Sequence, residues 1–293
     1  MNLTQLEYFH AVCMYQSISE AAEHLHISQP SLSVAIRELE KEFGVLLFKR
    51  HYRGVTLTEA GEQLYEMSCH LLKEIKSVEQ KLWDIGKKRK ALKVGIPPMI
   101  GSLFLPQIYK DFLKHNEDIT LQVAEGGTKK IVKALKEDAL DMVLIPHTKP
   151  LEKELCAMEI SRFEVVCGMA EGVEPEKQAV SLSELAGVPL VLLNNSFFQT
   201  EEILRRFSQA GITPEILLQT DQLSTLQNMI KSNVAVGFLF RQLIENQNGI
   251  QAVPLVPPIF VTVSLVRKKD VYMSESMHRF QAFVKETFSS QKG

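Results

Sequence analysis

From Ser28 to Arg50 the sequence reads SQPSLSVAIRELEKEFGVLLFKR. Hydroxyls, an amide and a cation gather at its front as Ser28, Gln29, Ser31, Ser33 and Arg37, around Pro30, and the cations Lys49, Arg50 and Arg53 gather at and just past its end. Short hydroxyls, backbone N–H groups and cations hold phosphate oxygens, and a glutamine amide can bond the N6 and N7 edge of adenine in a bidentate manner. On the leading turn of a helix those residue types suit a reader of the DNA major groove. The acids Glu38, Glu40 and Glu42 lie further along, away from that end. Taken singly, each serine is equally a solvent-facing cap. Enzyme chemistry has no comparable foothold: GxSxG, HExxH, GxGxxG and Walker-type patterns are missing, and no catalytic or cofactor-binding residue is assigned. The cysteines, Cys13, Cys69, Cys156 and Cys167, are scattered, form no metal-ligand spacing with the histidines, and read as reduced thiols.

The elements that position those residues fall into three segments. A chain of 293 residues, 45% hydrophobic, can bury more than one core, since single cores stop growing near about 250–300 residues. A formal net charge of −2 excludes an indiscriminate polybasic binder, so nucleic-acid contact must be local. The amino terminus lacks the pattern of a signal peptide, and no 18-residue apolar run follows, so a cytoplasmic protein without a membrane partner is expected.

Residues 1–58 form the first segment. Thr4 and Glu7 fit a capping box for a first helix whose apolar face is Leu6, Phe9, Val12 and Cys13. Ser19 fits the cap of a short second helix in which Ala21 and Ala22 allow close packing. Ser28 caps a third, with Pro30 in its first turn, a stripe of Leu32, Ala35, Ile36, Leu39 and Phe43, and Gly44 as its stop. The residues that follow alternate and turn at Arg53–Gly54, which predicts a hairpin. Helix, short helix, helix and hairpin make a winged helix-turn-helix.

The second segment, 59–90, carries a heptad at Leu64, Ser68, Leu71, Ile75, Val78, Leu82 and Ile85 and predicts a linker helix that pairs with a partner, or else packs on its own chain. The cluster Lys87, Lys88, Arg89 and Lys90 after it is a DNA contact or a solvated linker. The third segment, 91–293, alternates strands such as LKVGI and VAVGFLF with helices, the signature of parallel sheets flanked by helices.

The runs FHAV (9–12), SISEAA (17–22), LHISQPSLS (25–33), IRELE (36–40), GVLLFKR (44–50) and LTEAG (57–61) resemble the amino-terminal domain of the LysR-type transcriptional regulators almost position by position. Looser matches at Val94–Gly95, Leu105–Pro106, LSEL (182–185), FSQAG (207–211), Pro214 and VGF (236–238) extend the resemblance over the whole chain. It implies a winged helix-turn-helix, a pairing linker helix and a periplasmic-binding-protein-like α/β effector domain of two subdomains, assembled as a dimer of dimers on double-stranded promoter DNA. By matching position, Gln29, Pro30, Ser31 and Ser33 lead the recognition helix, and Arg50 and Arg53 belong to the wing. The family often has a basic or neutral residue where Glu20 stands, and hydroxyls that hold a ligand carboxylate where this chain has Pro97 and Met99.

Two α/β subdomains leave a crevice at the carboxyl ends of their strands. With divisions at Arg162 and Leu265, the first would comprise 91–162 and 265–293 and the second 163–264. Facing loops are then PPMIGS (97–102), EGGT (125–128), PHT (146–148), NNSFFQT (194–200) and TDQ (220–222). Gly101–Ser102, Thr128 and Ser196 are expected to open helices, Ser196 with Gln199 as a capping box, and free N–H groups at such ends favour an anion. The expected effector is a small carboxylate or other anion, its body against Met99, Ile100, Phe197 or Phe238, with Pro97, His147, Asn195 and Thr200 nearby. Met99 and Phe238 are equally core residues, and His147 equally an exposed loop residue. The reading that emerges is an effector-responsive transcriptional regulator; the alternative is a solute-binding protein whose helical head only dimerises.

Overall fold

The computed structural model describes residues 1–52, 54–86, 90–173, 178–245 and 248–288, without the side chains of 73, 76, 80 and 83–85. Arg53, Lys87, Lys88 and Arg89 lie outside the described residues, as does the side chain of Ile85. The chain divides into two units, Met1–Ile85 and Gly86–Gly293. Among the described residues no helix is long and apolar enough to cross a membrane.

The first unit holds helices α1 (Leu3–Tyr15), α2 (Ile18–His24) and α3 (Gln29–Phe43), the hairpin β1 (Phe48–His51) and β2 (Gly54–Leu57), and nearly all of α4 (Glu59–Gly86). Two caps sit elsewhere than the sequence pattern placed them. Asn2 caps α1 in a reciprocal box with Gln5, not Thr4 with Glu7, and Ser17, not Ser19, caps α2 by accepting from the Glu20 N–H. Ser28 does cap α3, and Gly44 ends it in the left-handed conformation. Leu32, Ile36 and Leu39 are buried with Phe9, Val12, Ala21 and Ala22, but Phe43 is exposed. The core closes at that end with Leu47 and Phe48 instead, because Glu40 Oε1 accepts their N–H groups at 2.8 and 3.3 Å and draws β1 in.

Thr58 caps the start of α4, its hydroxyl accepting from the Gly61 N–H at 3.0 Å and donating to Leu46 O at 2.6 Å. Gly61 must lack a side chain here, since a Cβ would stand 2.2 Å from the Leu47 carbonyl oxygen. Further along α4, Leu64 and Tyr65 pack on the head core, Tyr65 stacks on His10 of α1 at 5.0 Å, and Ser68 is buried. Leu64 and Ser68 therefore face their own chain rather than a seam. The exposed apolar row is Met67, Leu71, Val78 and Leu82, with Ile75 half-buried.

In the second unit the strand order is β4-β3-β5-β11-β6-β9-β7-β8, with β10 (Ile250–Val253) on β6. One half-sheet is built on β3 (Lys90–Ile96), parallel to β4 (Ile119–Glu125) and β5 (Met142–His147); the other on β7 (Leu190–Leu193), parallel to β8 (Ile216–Thr220) and β9 (Val236–Phe240). The sheets are mixed rather than parallel throughout. The chain passes from one half to the other on β6 (Leu155–Ala170) and back on β11 (Ile259–Lys268), and both run antiparallel to their neighbours. The β6–β11 register slips between Val263, opposite Ser161, and Ser264, opposite Glu159. Helices α5 (Pro98–Gln107), α6 (Thr128–Lys136), α7 (Phe198–Gln209) and α8 (Leu223–Lys231) lie against these strands. The last helix, Glu275–Phe288, returns to the first half, with Phe280 edge-on to Phe112 at 5.2 Å.

Glu202 anchors α7. Its carboxylate is 5% exposed and accepts from Arg205 Nη2 at 2.6 Å and Arg206 Nε at 2.9 Å. Burial, the largest single cause, would raise this carboxyl, but the hydrogen bonds and charges of the two guanidinium groups together outweigh it and hold the group below its ordinary value. Gly61→Ala should destabilise the first unit by about 1–3 kcal/mol in urea denaturation, because the clash is with backbone that has no rotamer to escape into. For Glu202 the depressed folded value means its stabilisation is present above the unfolded value and lost as pH falls through the folded one. Glu202→Gln should therefore flatten the acid limb of a stability-against-pH profile, while the wild type loses stability there.

Candidate DNA-binding face and effector cleft

On α3, Gln29, Pro30, Ser31, Val34 and Arg37 are exposed, whereas Ser33 is only 8% exposed. Ser33 thus faces the core of its own domain, and the expectation that it reads DNA is corrected. In its place on the leading surface stands Val34, an apolar residue that pattern reading passed over because it was looking for polar groups. Ser28 Oγ is taken up by the Ser31 N–H at 3.2 Å and the Ser31 hydroxyl at 2.7 Å, so it shapes the turn rather than projecting from it. Arg37 folds back along its helix, Nε donating to Ser33 O at 3.2 Å. On the hairpin Lys49 and Arg50 are exposed, and Tyr52 stands fully exposed at its tip. His51 Nε2 pairs with Thr56 Oγ1 across the strands at 2.9 Å. This face joins an amide, a hydroxyl, an apolar contact and flanking cations, the set needed to touch base edges and phosphates together.

In the second unit the two half-sheets meet at a narrow cleft with about 10 Å³ of room for a water-sized sphere, lined in part by Pro97, Met99, Ile100, Thr128 and Phe197. An adjoining space, also of about 10 Å³, is lined in part by Met99, Thr200 and Phe238. These seven expected residues are brought together. Beside the cleft, the start of α6 and the β7–α7 loop touch: the Lys129 N–H donates to Ser196 O at 3.2 Å, and a Cβ on Gly127 would fall 1.9 Å from Ser196 Oγ. Only glycine fits at that approach.

The other expected positions do other work. α5 starts at Pro98 after Pro97, so Gly101 and Ser102 lie in its second turn instead of opening it, and Ser102 Oγ is exposed and donates back to Pro98 O at 2.9 Å. The cap of α7 is Phe197, and no Ser196–Gln199 box forms; Ser196 Oγ donates to Asn194 Oδ1 at 2.6 Å. Asn195 is exposed and accepts from Gln219 Nε2 at 3.1 Å. His147 ties the end of β5 to the slipped register of β11: Nδ1 donates to Lys149 O at 3.0 Å, leaving Nε2 to accept from Ser264 Oγ at 2.8 Å. Thr200 lines the adjoining space, yet its hydroxyl donates to Leu193 O at 2.8 Å.

Sequence reasoning missed Pro146, Phe198, Gln199 and Phe240 as cleft residues. Gln199 is 6% exposed, and neither its Oε1 nor its Nε2 has a hydrogen-bond partner among the described residues. None of the residues that line either space carries a formal charge. Among the described residues no group of three or more His, Cys, Asp or Glu side chains is arranged to hold a metal.

Residues 3–62 match the family described as bacterial regulatory helix-turn-helix protein, lysR family, and residues 86–289 match the LysR substrate binding domain. The chain is 29% identical over 280 residues to the uncharacterized HTH-type transcriptional regulator YwbI of Bacillus subtilis, covering 94% of this chain and 92% of that one. It is 28% identical to the hydrogen peroxide-inducible genes activator of Pectobacterium carotovorum, over 82% of this chain and 80% of the relative. Full-length OxyR from Pseudomonas aeruginosa shares the fold, with a TM-score of 0.63 at 24% identity over 97% of this chain and 95% of that one. A helix-turn-helix head and a two-part α/β unit, each matched to its own part of the family, make this chain a member of the LysR family of bacterial transcriptional regulators, which bind DNA and respond to small molecules.

Proposed function

We propose that α3 enters the major groove of promoter DNA with Gln29, Pro30, Ser31 and Val34 at the base edges, while Lys49, Arg50 and Arg53 meet the flanking phosphates. The observation that carries this reading is the division of α3 into a buried stripe, Leu32, Ile36 and Leu39, and an exposed leading turn pinned by the Ser28 cap. Val34 supplies an apolar contact of the kind that thymine methyl groups accept. In this reading 1–58 is the DNA-binding head, 59–90 the pairing helix and 91–293 the effector part, acting in the cytoplasm where the promoter lies. Met67, Leu71, Val78 and Leu82 form the seam, since an exposed apolar row on a 28-residue helix is buried by a second copy of the same helix. Two-fold pairing makes the operator an inverted repeat, and two such dimers make the tetramer.

The effector of this reading is a small carboxylate or other anion with an apolar body, held in the cleft between α5, α6 and α7. Support comes from the amino-terminal turns of α6 and α7, whose residues Thr128, Phe198 and Gln199 line it, and from the uncharged apolar walls that would take the body. Thiol oxidation by peroxide is a poorer fit. Cys167 is fully buried and Cys13 is held in the head, both pushed up to about 12 by burial, Cys13 also by Cys69, and a neutral thiol is a weak nucleophile. None of the four cysteines lines the cleft.

The test is fluorescence anisotropy with DNA from upstream of the protein's own coding region against random DNA of equal length, titrated in salt. A specificity ratio above about 10³ is the expected result; equal binding at every salt concentration would return the head to dimerisation alone. Gln29→Ala should cost about 1–3 kcal/mol on the operator and relax preference at one base position, whereas Arg50→Ala should weaken all sequences alike and flatten the salt slope by about one. Leu71→Lys with Leu82→Lys should release monomers in analytical ultracentrifugation. Each buried leucine is worth about 1.5–3 kcal/mol, so the dimer Kd should rise by roughly two orders of magnitude or more.

A further inference from the structure

Two thiols, an imidazole and a phenol meet in the head, on helices other than α3. On α1, Cys13 follows His10 by three residues, and on α4, Cys69 follows Tyr65 by four, so each helix carries its pair on one face. The pairs touch: the His10 ring stacks on Tyr65 at 5.0 Å, and its Nε2 lies 3.4 Å from Cys69 Sγ. Cys13 belongs to the same group. Burial and then the charge of Cys69 push its thiol up to about 12, and burial and then the charges of Cys69 and Cys13 raise the Tyr65 phenol. Both thiols are only part-buried, which leaves them open to a small reagent.

The two thiols are not equivalent. Cys69 has an imidazole nitrogen within hydrogen-bond reach, a base that takes its proton as the sulfur attacks. Cys13 is a poor first nucleophile, because it is held neutral. One cause that keeps it so is the charge of Cys69, and that cause disappears once Cys69 is bonded to another sulfur. Reaction at Cys69 therefore prepares Cys13 to follow.

We propose that Cys69 and Cys13 form a thiol switch, in which a small-molecule disulfide modifies Cys69 and Cys13 then resolves the adduct into a bond between α1 and α4. In the first step the Cys69 sulfur attacks one sulfur of the reagent RSSR, and its proton passes by way of His10 to the departing RS⁻. In the second the Cys13 sulfur attacks Cys69, and the second RS⁻ leaves with the Cys13 proton. Two thiols are oxidised by two electrons while one RSSR is reduced to two RSH. A disulfide holds its Cβ atoms about 3.5–4.5 Å apart, so closing it beside the bulky Tyr65–His10 stack turns α4 against α1. With chains paired through α4, that angle sets the spacing of two heads on an operator; this consequence rests on the DNA-binding reading.

The probe is 5,5′-dithiobis(2-nitrobenzoate), a disulfide whose halves are coloured on release, added below one equivalent to the reduced full-length chain carrying Cys156→Ser. That change removes the other part-buried thiol, and Cys167 is fully buried. Both halves of each reagent molecule should be released, with no adduct retained and a Cys13–Cys69 link in the peptide map. Adding Cys13→Ser should stop the reaction with one half released and the other held on Cys69. Adding His10→Gln should slow the first release by about 10²-fold. An unfolded variant would expose Cys69 and react faster, so slowing reports the imidazole and not the fold. Adduct retained on Cys69 while Cys13 is present, first attack at Cys13, or equal rates with and without His10 would overturn the inference. On operator DNA the oxidised chain should bind at least about tenfold more weakly than the reduced one, with recovery in dithiothreitol. Equal affinity of the two forms would overturn the switch. If neither form prefers operator DNA, the DNA-binding reading fails, and the release of the two halves still decides the thiol chemistry.

Discussion

Everything in the effector unit hangs from the antiparallel pairing of β6 with β11. It runs from Ile259 opposite Val165 to Lys268 opposite Leu155, and it is where the chain crosses between the two half-sheets. Because both crossing strands belong to both halves, the carboxyl ends of β3 and β7 are brought to face each other, and α5 and α7 start there. The register slip at Val263 and Ser264 falls in the middle of this crossing. A slip of this kind disrupts the ladder locally and lets a strand bend. His147 fastens that crossing from the side through the fully buried Ser264, a bond between the end of β5 and the irregular point of β11.

Much of this could be read from residue types alone, and the parts that could not share a cause. The strands were recoverable because buried strands are continuous apolar runs, and α3 because its stripe, proline and serine cap agree with each other. Cap positions failed where two candidate oxygens stand a few residues apart. Asn2 and Thr4, or Ser17 and Ser19, satisfy the same local pattern, and only the packing of the helix on its neighbours selects one. Ser33 and Phe43 failed for the complementary reason. On a 15-residue helix that packs obliquely, the buried stripe drifts, so a serine turns inward near the start and a phenylalanine turns outward at the end.

Gln199 was hidden by a different ambiguity. A glutamine three residues after a serine at a helix start has the spacing of a capping box, and that pattern satisfies its amide locally. In the folded chain Ser196 is drawn away by Asn194 and by the approach of Gly127, the cap passes to Phe197, and the glutamine loses the partner its sequence neighbourhood seemed to give it. The same displacement leaves the buried amide with no protein partner among the described residues. No local pattern records this, because it depends on two loops separated by about seventy residues meeting at one glycine.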